Sequence, residues 1–527
     1  MSIDLNSQLT IEDIGLTPDE VFTGLLDYGL FGEKLPPCFS TQGLSAINDP
    51  EIRATLDADT DKKLAKAIGN RSHDFIRYAA LRETNVPRHL GVPHPESYFV
   101  QALAVKKNWN LIKEHCLQGY PQISRIYVRH TKGEHIFEMS YKGPERFELE
   151  EEDLEWQAGA QYRVDADISS CFSSIYTHSI PWALHTQEEA KEHRTSLIKL
   201  PGNVLDKCTQ ITRDGQTNGL LIGPHASNII AEIVLTRVDA ELVGKGYVKL
   251  SRHIDDYCFY AQSHDEAEKF IHDLGLALRK FELNINEKKT RISRMPQTSE
   301  ESWVQTLKRF QFPAAGEIRY SAIRSLLDLA LELSEKHAVS TPLNYAMQMV
   351  GNDDERVSRY NSRAKRLFIQ EAINLAIAFP YLAPVVERCV FSIFKPELRN
   401  EKVKLLADQL LEIGIRKLYP DAIAHGLYLA LNYTIQPTLS QEIESSILAI
   451  DDCIVLVLFR EYALRHNLAN IITKIEEKAL SLQLLEQREQ DRFWLLLYQV
   501  YTAEQLIACG QDFLGKLKIA GFSFIKP

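Results

Sequence analysis

Four acidic residues stand where a cation could be held. RVDADIS (163–169) sets Asp165 and Asp167 two residues apart in strand-like sequence, and HIDDY (253–257) sets Asp255 beside Asp256. Side chains alternate across a strand, so Asp165 and Asp167 share a face, whereas an adjacent pair cannot. The Asp-Asp pair therefore marks either a solvated turn or a place where a cation sits. Transfer of a nucleotidyl group needs an attacking oxygen and an α-phosphate in line, with charge neutralised on the attacking and leaving oxygens. Two divalent cations about 4 Å apart do this. Magnesium favours hard oxygen ligands and takes only one or two carboxylates besides substrate phosphates. Three aspartates from two neighbouring strands suffice, and without metal their repulsion raises at least one pKa.

The elements around these acids form an ordered set. The strand end at 162–169 is followed by NGLLIGPHASNIIAEIVL (218–235), a glycine turn running into a helix. HIDDY reads as a hairpin tip, SHDEAEKFIHDLGLALRKFE (263–282) as a helix, and LNINEKKTRI (283–292) as a strand with a lysine pair, Lys288 and Lys289. Arg82, Arg88, Arg125, Arg129, Lys132 and Arg163 lie upstream of or beside these segments. Triphosphate oxygens would be met by such cations. Arg163 is the foremost candidate because it precedes the acidic strand end. The run ELEEEDLE (148–155) reads as a solvated loop.

The bulk properties bound the rest. A chain of 527 residues has material for two or three domains. The eight cysteines are scattered with no CxxC pair, against a thiolate zinc site or disulfide framework. The formal charge of −11 argues against broad coating of duplex nucleic acid but leaves room for a local basic channel. No apolar run reaches membrane-spanning length, and MSIDLNSQLTIEDIG lacks the layout of a signal peptide, so a cytoplasmic location without membrane partners is expected.

Beyond about residue 320 nearly everything reads as helix. Phe368, Ala372, Leu375, Ala376 and Phe379 make one apolar stripe, which Pro380 ends. Further helices are predicted over 387–395, 401–417, 421–433, 442–465, 469–484 and 491–500, with Asp421 and Asp491 as N-caps. A HEAT-like stack and an irregular helical bundle both accommodate this series. The expected class is α+β: N-terminal region and fingers over 1–160, palm over 161–318, and an all-helical HEAT-like domain over 319–527.

The ordered set resembles the palm of reverse transcriptases. DISSCFSSI is similar to the family's D-I-x-x-F-F-P-S-I, GLLIGPHAS to G-[LI]-P-[QI]-G-x-x-x-S, RHIDDY to R-Y-x-D-D-Y, and LNINEKKT to L-x-[LI]-N-x-x-K-T. SSIYTHSIPWAL (173–184) with DGQTNGLLIGPHAS further resembles the AbiK-type branch of bacterial abortive-infection reverse transcriptases, which act in phage defence and carry a HEAT-like domain. The resemblance implies Asp167, Asp255 and Asp256 as ligands of two Mg²⁺ ions, with Mn²⁺ as an alternative. Asp167 is chosen over Asp165 because Ile168 follows it and Phe172 stands five residues on. The Ile168 carbonyl would add a metal ligand. Phe172 would bar a 2′-hydroxyl, Gly223 would shape the nucleotide floor, and Lys289 would act on the leaving pyrophosphate. Segment 89–109 resembles the fingers of this branch, its aromatics facing either bases or the core. His178 and Trp182 read as structural. The resemblance further implies dNTP substrates, DNA synthesis without a defined template, priming from a tyrosine, a covalently attached single-stranded product, and a homo-oligomer. No spacing selects the priming residue among 21 tyrosines. His253, Cys171 and Ser173 depart from the family pattern, which weighs against ordinary templated primer extension. A conventional RNA-templated reverse transcriptase and a non-catalytic nucleic-acid sensor are the alternatives.

Overall fold

The computed structural model describes residues 16–32, 35–47, 72–82, 87–117, 123–124, 129–130, 137–138, 154–193, 199–298, 301–352 and 354–526. Arg125, Lys132 and most of the acidic run 148–155 lie outside these, and of Arg129 only the backbone is described.

Eight strands are described. β1 (Phe75–Leu81) and β2 (Pro87–Pro93) form an antiparallel hairpin, and β3 (Arg129–His130) pairs with β4 (Phe137–Glu138). β5 (Tyr162–Asp167), β6 (Leu250–His253), β7 (Asp256–Ala261) and β8 (Arg291–Arg294) form an antiparallel sheet in the order β6-β7-β5-β8. Alternation decides its faces. Val164 and Ala166 of β5, and Tyr257, Phe259 and Ala261 of β7, are buried. The helix His264–Arg279 packs there, capped by Ser263, with Phe270 stacked on Phe259 at 4.5 Å between ring centroids. The opposite face keeps Arg163, Asp165 and Asp167 together.

The last pair of the β6–β7 hairpin is His253↔Asp256, which leaves Ile254 and Asp255 as a two-residue turn. Ile254 has φ 59°, a left-handed conformation that a β-branched residue adopts only under constraint. The predicted strand over 283–292 begins later than expected. Ile285 pairs with Ile168 as an isolated antiparallel bridge, residues 287–289 make a turn, and Arg291–Arg294 form the strand.

In the helical half, Phe368, Ala372, Leu375 and Ala376 face inward from the helix Ser362–Ala378, and Pro380 opens a 3₁₀ turn after it. The predicted helix 442–465 is two helices, Gln441–Ala449 and Cys453–Arg465, the second capped by Asp452 through Val455 N–H at 3.0 Å. Asp421 and Asp491 are not caps. The Asp421 carboxylate accepts from Tyr78 Oη at 2.5 Å and from Leu81 N–H at 2.9 Å, both on β1. Asp491 accepts from Asp74 N–H at 3.3 Å and from Gln511 Nε2 at 3.1 Å. Sequence showed acids near helix starts, and the tertiary fold gave their oxygens more distant donors.

These links make the helical half one body with the fingers hairpin. The helix Pro420–Asn432 packs on β1, and the chain end returns to residues 38–40, where Ser40 N–H meets Phe524 O at 3.0 Å and Lys526 N–H meets Cys38 O at 2.8 Å. Phe31, Trp494 and Phe524 pack their rings together at this joint.

Replacing Asp421 by Ala removes both acceptors and strands the Tyr78 hydroxyl, which is 1% exposed. Thermal unfolding should show a loss of about 1–3 kcal/mol. Adding Tyr78→Phe to Asp421→Ala should cost less than the two single losses summed, because the stranded hydroxyl is gone.

Candidate active site

Asp167 ends β5 and pairs in register with Asp256, which begins β7. Asp255 sits in the hairpin turn, and its carbonyl accepts from Ile168 N–H at 3.2 Å. One end of the sheet thus collects Asp167, Ile168, Asp255 and Asp256. Asp167 is 7% exposed, and Asp255 is half-buried. The segment 284–290 closes over them. Asn286 Nδ2 donates to Asp167 Oδ1 at 2.8 Å, and Lys289 Nζ meets Asp167 Oδ2 at 2.6 Å. Asn286 N–H also bonds to the Asp167 carbonyl at 2.7 Å, so the turn is fixed to the strand it serves. Lys288 is exposed and makes no such contact.

Asp165 has a different place. Arg163 holds it at 2.7 Å and Arg291 at 3.2 Å, so its charge is already balanced. This also relocates Arg163, the foremost triphosphate candidate by sequence. Its guanidinium is spent on Asp165, and it lies four residues, about 13 Å, back along the strand from Asp167. Arg88 of β2 stands nearer, and its charge lowers the proton affinity of Asp255.

The electrostatics follow from crowding. Burial, then the charge of Asp167, raises the Asp255 pKa. Burial, the charges of Asp255 and Asp167, and a hydrogen bond that protonated Asp256 donates to Asp167 push Asp256 up to about 6. Lys289 is raised in turn, first by its hydrogen bond to Asp167. The three carboxylates do not close into a chelate, since their oxygens are not all within 4.8 Å of one another. Lys289 eases the repulsion instead. An all-oxygen donor set with excess negative charge fits hard divalent ions such as Mg²⁺ or Mn²⁺.

The floor beside the acids is stitched from three segments. Phe172, partly buried, lies on the short helix Cys171–Ser174, and its carbonyl accepts from Leu220 N–H at 2.6 Å. Gly219 N–H bonds to Ile175 O at 2.8 Å, with φ 85° and Ser173 O only 2.8 Å from where a Cβ would stand. Gly223 has φ 126°, which disfavours any other residue, and it follows Ile222, whose carbonyl accepts from Gly91 N–H of β2 at 3.0 Å. The aromatics expected near the fingers are core: Tyr98, Phe99 and Trp109 are buried. His178 bonds the Asp206 carboxylate at 2.5 Å rather than backbone, and Trp182 packs edge-on to Tyr176.

Sequence reasoning missed the group that holds the hairpin tip. Arg252 is fully buried. It donates to Asp239 at 2.7–3.0 Å, to Glu232 at 2.9 and 3.0 Å, and through Nη1 to the carbonyl of strained Ile254 at 2.9 Å. Tyr257 Oη completes Asp239 at 2.8 Å. Glu232 and Asp239 lie on the buried helix His225–Gly244. Two acids seven residues apart on a largely buried helix share a face, and that spacing was the available signal. Asn286 fills the Asn position of the L-x-[LI]-N-x-x-K-T pattern, a signal to which no role was attached.

Two outcomes are expected. The native protein holds the Asp256 proton to about pH 6, whereas an unfolded aspartate releases its proton near 4. The native state binds more protons in that window, so stability in EDTA falls as pH rises through it and stays lower above. Asp256→Asn should flatten that slope and raise the melting temperature at pH 8 in EDTA by about 1–3 °C. Arg252→Met leaves two buried acids unpaired and should cost about 3–5 kcal/mol in denaturant unfolding, while the triple variant with Glu232→Gln and Asp239→Asn should recover most of it.

Residues 106–321 match the family model described as reverse transcriptase (RNA-dependent DNA polymerase). No curated protein matches the chain. Among solved structures, apo telomerase from Candida tropicalis truncated from its C-terminal domain is 12% identical with a TM-score of 0.28, covering 47% of this chain and 56% of that one. Telomerase from Candida tropicalis with a TWJ fragment of telomeric RNA is 10% identical, TM-score 0.30, over 69% and 65%. Telomerase from Candida albicans with such a fragment is 11% identical, TM-score 0.29, over 80% and 67%. This chain thus spans little more than half of the first of these. Residues 106–321, which contain the four-stranded sheet and the three acids of its end, are a reverse-transcriptase domain.

Proposed function

We propose that the protein is a metal-dependent DNA polymerase that builds DNA from dNTPs, with Asp167, Asp255 and Asp256 holding two Mg²⁺ ions. The observation that carries this reading is the register pair Asp167↔Asp256 beside the Asp255 turn, within the segment matched to reverse transcriptases. When bound, the ions would polarise the α-phosphate and offset charge on the attacking and leaving oxygens. The chain's own groups do the rest. The Ile168 carbonyl is a further ligand. Lys289 has a raised pKa, so it stays charged at neutral pH and opposes charge on the departing pyrophosphate rather than releasing a proton. Phe172 closes the space a 2′-hydroxyl would need, and Gly223 lets the backbone approach the nucleotide.

The finer reading is of the AbiK type: synthesis without a defined template, primed from a protein tyrosine, leaving single-stranded DNA covalently attached, in a homo-oligomer that serves phage defence. The motif resemblance and the helical half support it, with the helical half read as a HEAT-like stack shaping the product's exit. A conventional RNA-templated activity is favoured by one observation, the description of the matched family as RNA-dependent.

Incubation of the purified protein with Mg²⁺ and labelled dNTPs, without template, should place label on the protein band in denaturing gels, and nuclease digestion should leave a nucleotidyl-tyrosine. Product free of protein and complementary to an added RNA would instead establish the conventional reading. Asp255→Asn should abolish incorporation; unchanged activity and unchanged phage resistance would leave only a non-catalytic sensor. Phe172→Ala should raise the ratio of rNTP to dNTP incorporation by at least about tenfold, the size of losing roughly 1.4 kcal/mol of discrimination.

A further inference from the structure

The segment that follows Leu283 is tied to β5 by its backbone. Ser169 N–H donates to Asn284 O at 2.8 Å, Ile285 pairs with Ile168, and Asn286 N–H donates to Asp167 O at 2.7 Å. The Asn286 carbonyl then accepts from Lys289 N–H at 3.1 Å, from Thr290 N–H at 3.0 Å and from Thr290 Oγ1 at 2.9 Å. These bonds set the path of the chain up to Thr290 without help from the Lys289 side chain. That side chain is 65% exposed, so solvent surrounds most of it and it can swing away from its partner.

The two side chains of this segment divide the Asp167 carboxylate between them. Asn286 Nδ2 holds Oδ1 at 2.8 Å, and Lys289 Nζ takes Oδ2 at 2.6 Å. The amide is neutral and fixes the carboxylate without adding charge. The ammonium brings a full positive charge to the one oxygen left. Magnesium sits about 2.1 Å from its oxygen ligands, so an ion on Oδ2 would lie less than about 5 Å from that ammonium and repel it. Lysine and divalent ion therefore exclude each other at this oxygen. Lys288, next along the turn, is exposed and makes no bond to the acids, so it carries the same charge without the contact.

We infer that Lys289 is a tethered counter-ion that competes with the divalent cation for Asp167 Oδ2, and that binding of the cation releases its ammonium for the substrate phosphates. The inference rests on the metal-holding role proposed for the three acids. It gives the lysine two successive posts. Before the ion binds, Lys289 offsets the charge of Asp167, while Asp255 and Asp256 have no ion-pair partner among the described residues. After the ion binds, the backbone bonds of the turn keep the lysine beside the site that it has left.

The test is titration of the full chain with Mn²⁺ in the absence of dNTPs, with free Mn²⁺ followed by electron paramagnetic resonance. Lys289→Met should bind Mn²⁺ about three- to fivefold more tightly than the native protein, the range set by an exposed ion pair. Lys288→Met removes the same charge from the same turn and should change the affinity by less than about 1.5-fold, because salt screens an exposed charge that makes no contact. Asp255→Asn should weaken binding about tenfold or more, since it removes a charged oxygen ligand. In the native protein, acetylation of Lys289 by acetic anhydride, read by fragmentation mass spectrometry, should quicken when Mg²⁺ is added, while Lys288 keeps its rate. Equal Mn²⁺ affinity in Lys289→Met and the native protein, an equal gain in Lys288→Met, or an unchanged Lys289 acetylation rate would overturn the inference. Mn²⁺ binding that survives Asp255→Asn would overturn it as well, by placing the ion elsewhere. DNA synthesis is assayed separately. Incorporation by the native protein with no gain of affinity in Lys289→Met rejects the inference and keeps the polymerase, whereas the gain of affinity without any incorporation keeps the inference and rejects the polymerase.

Discussion

Repulsion among three carboxylates at one end of a four-stranded sheet governs this molecule. Nothing in their own strands favours their meeting. Asp255 and Asp256 are displaced onto a turn because adjacent residues of a strand face apart, and Asp167 reaches them only across the β5–β7 register. The surrounding structure absorbs the strain. Lys289 and Asn286 take the two oxygens of Asp167, and the raised pKa of Asp256 records the repulsion that is left.

Behind this charge lies a second one of opposite design. Arg252, Glu232 and Asp239 are buried, and every charged group among them has a partner. Buried ion pairs of this kind contribute little net stability, and their use is in specifying one arrangement. Here the specified object is the hairpin tip, since Arg252 also holds the Ile254 carbonyl. Each acid of the rear cluster is paired with Arg252, whereas of the three front acids only Asp167 has an ion-pair partner, Lys289, among the described residues.

The helical half belongs to this logic through the fingers. Asp421 and Asp491 bind groups on or beside β1, and β2 carries Arg88 toward Asp255. The β1–β2 hairpin is thus held by the helical half and carries Arg88, whose charge acts on Asp255.

The sequence alone determined the candidate acids and lysine, their order along the chain, and the change from mixed elements to helices near residue 320, because motif spacing and apolar periodicity are local properties. It placed Asp167, Asp255, Asp256 and Lys289 as candidates, and the fold brings those four together. What it misjudged were contacts between distant segments: Arg163 turned to Asp165, Asp421 and Asp491 left their own helices for β1 and its neighbours, and the strand read over 283–292 is confined to Arg291–Arg294. Only the tertiary structure decided these, because a carboxylate or guanidinium satisfies its charge with whichever partner packing brings within about 3 Å, two residues away for Arg163 and hundreds away for Asp421 and Asp491.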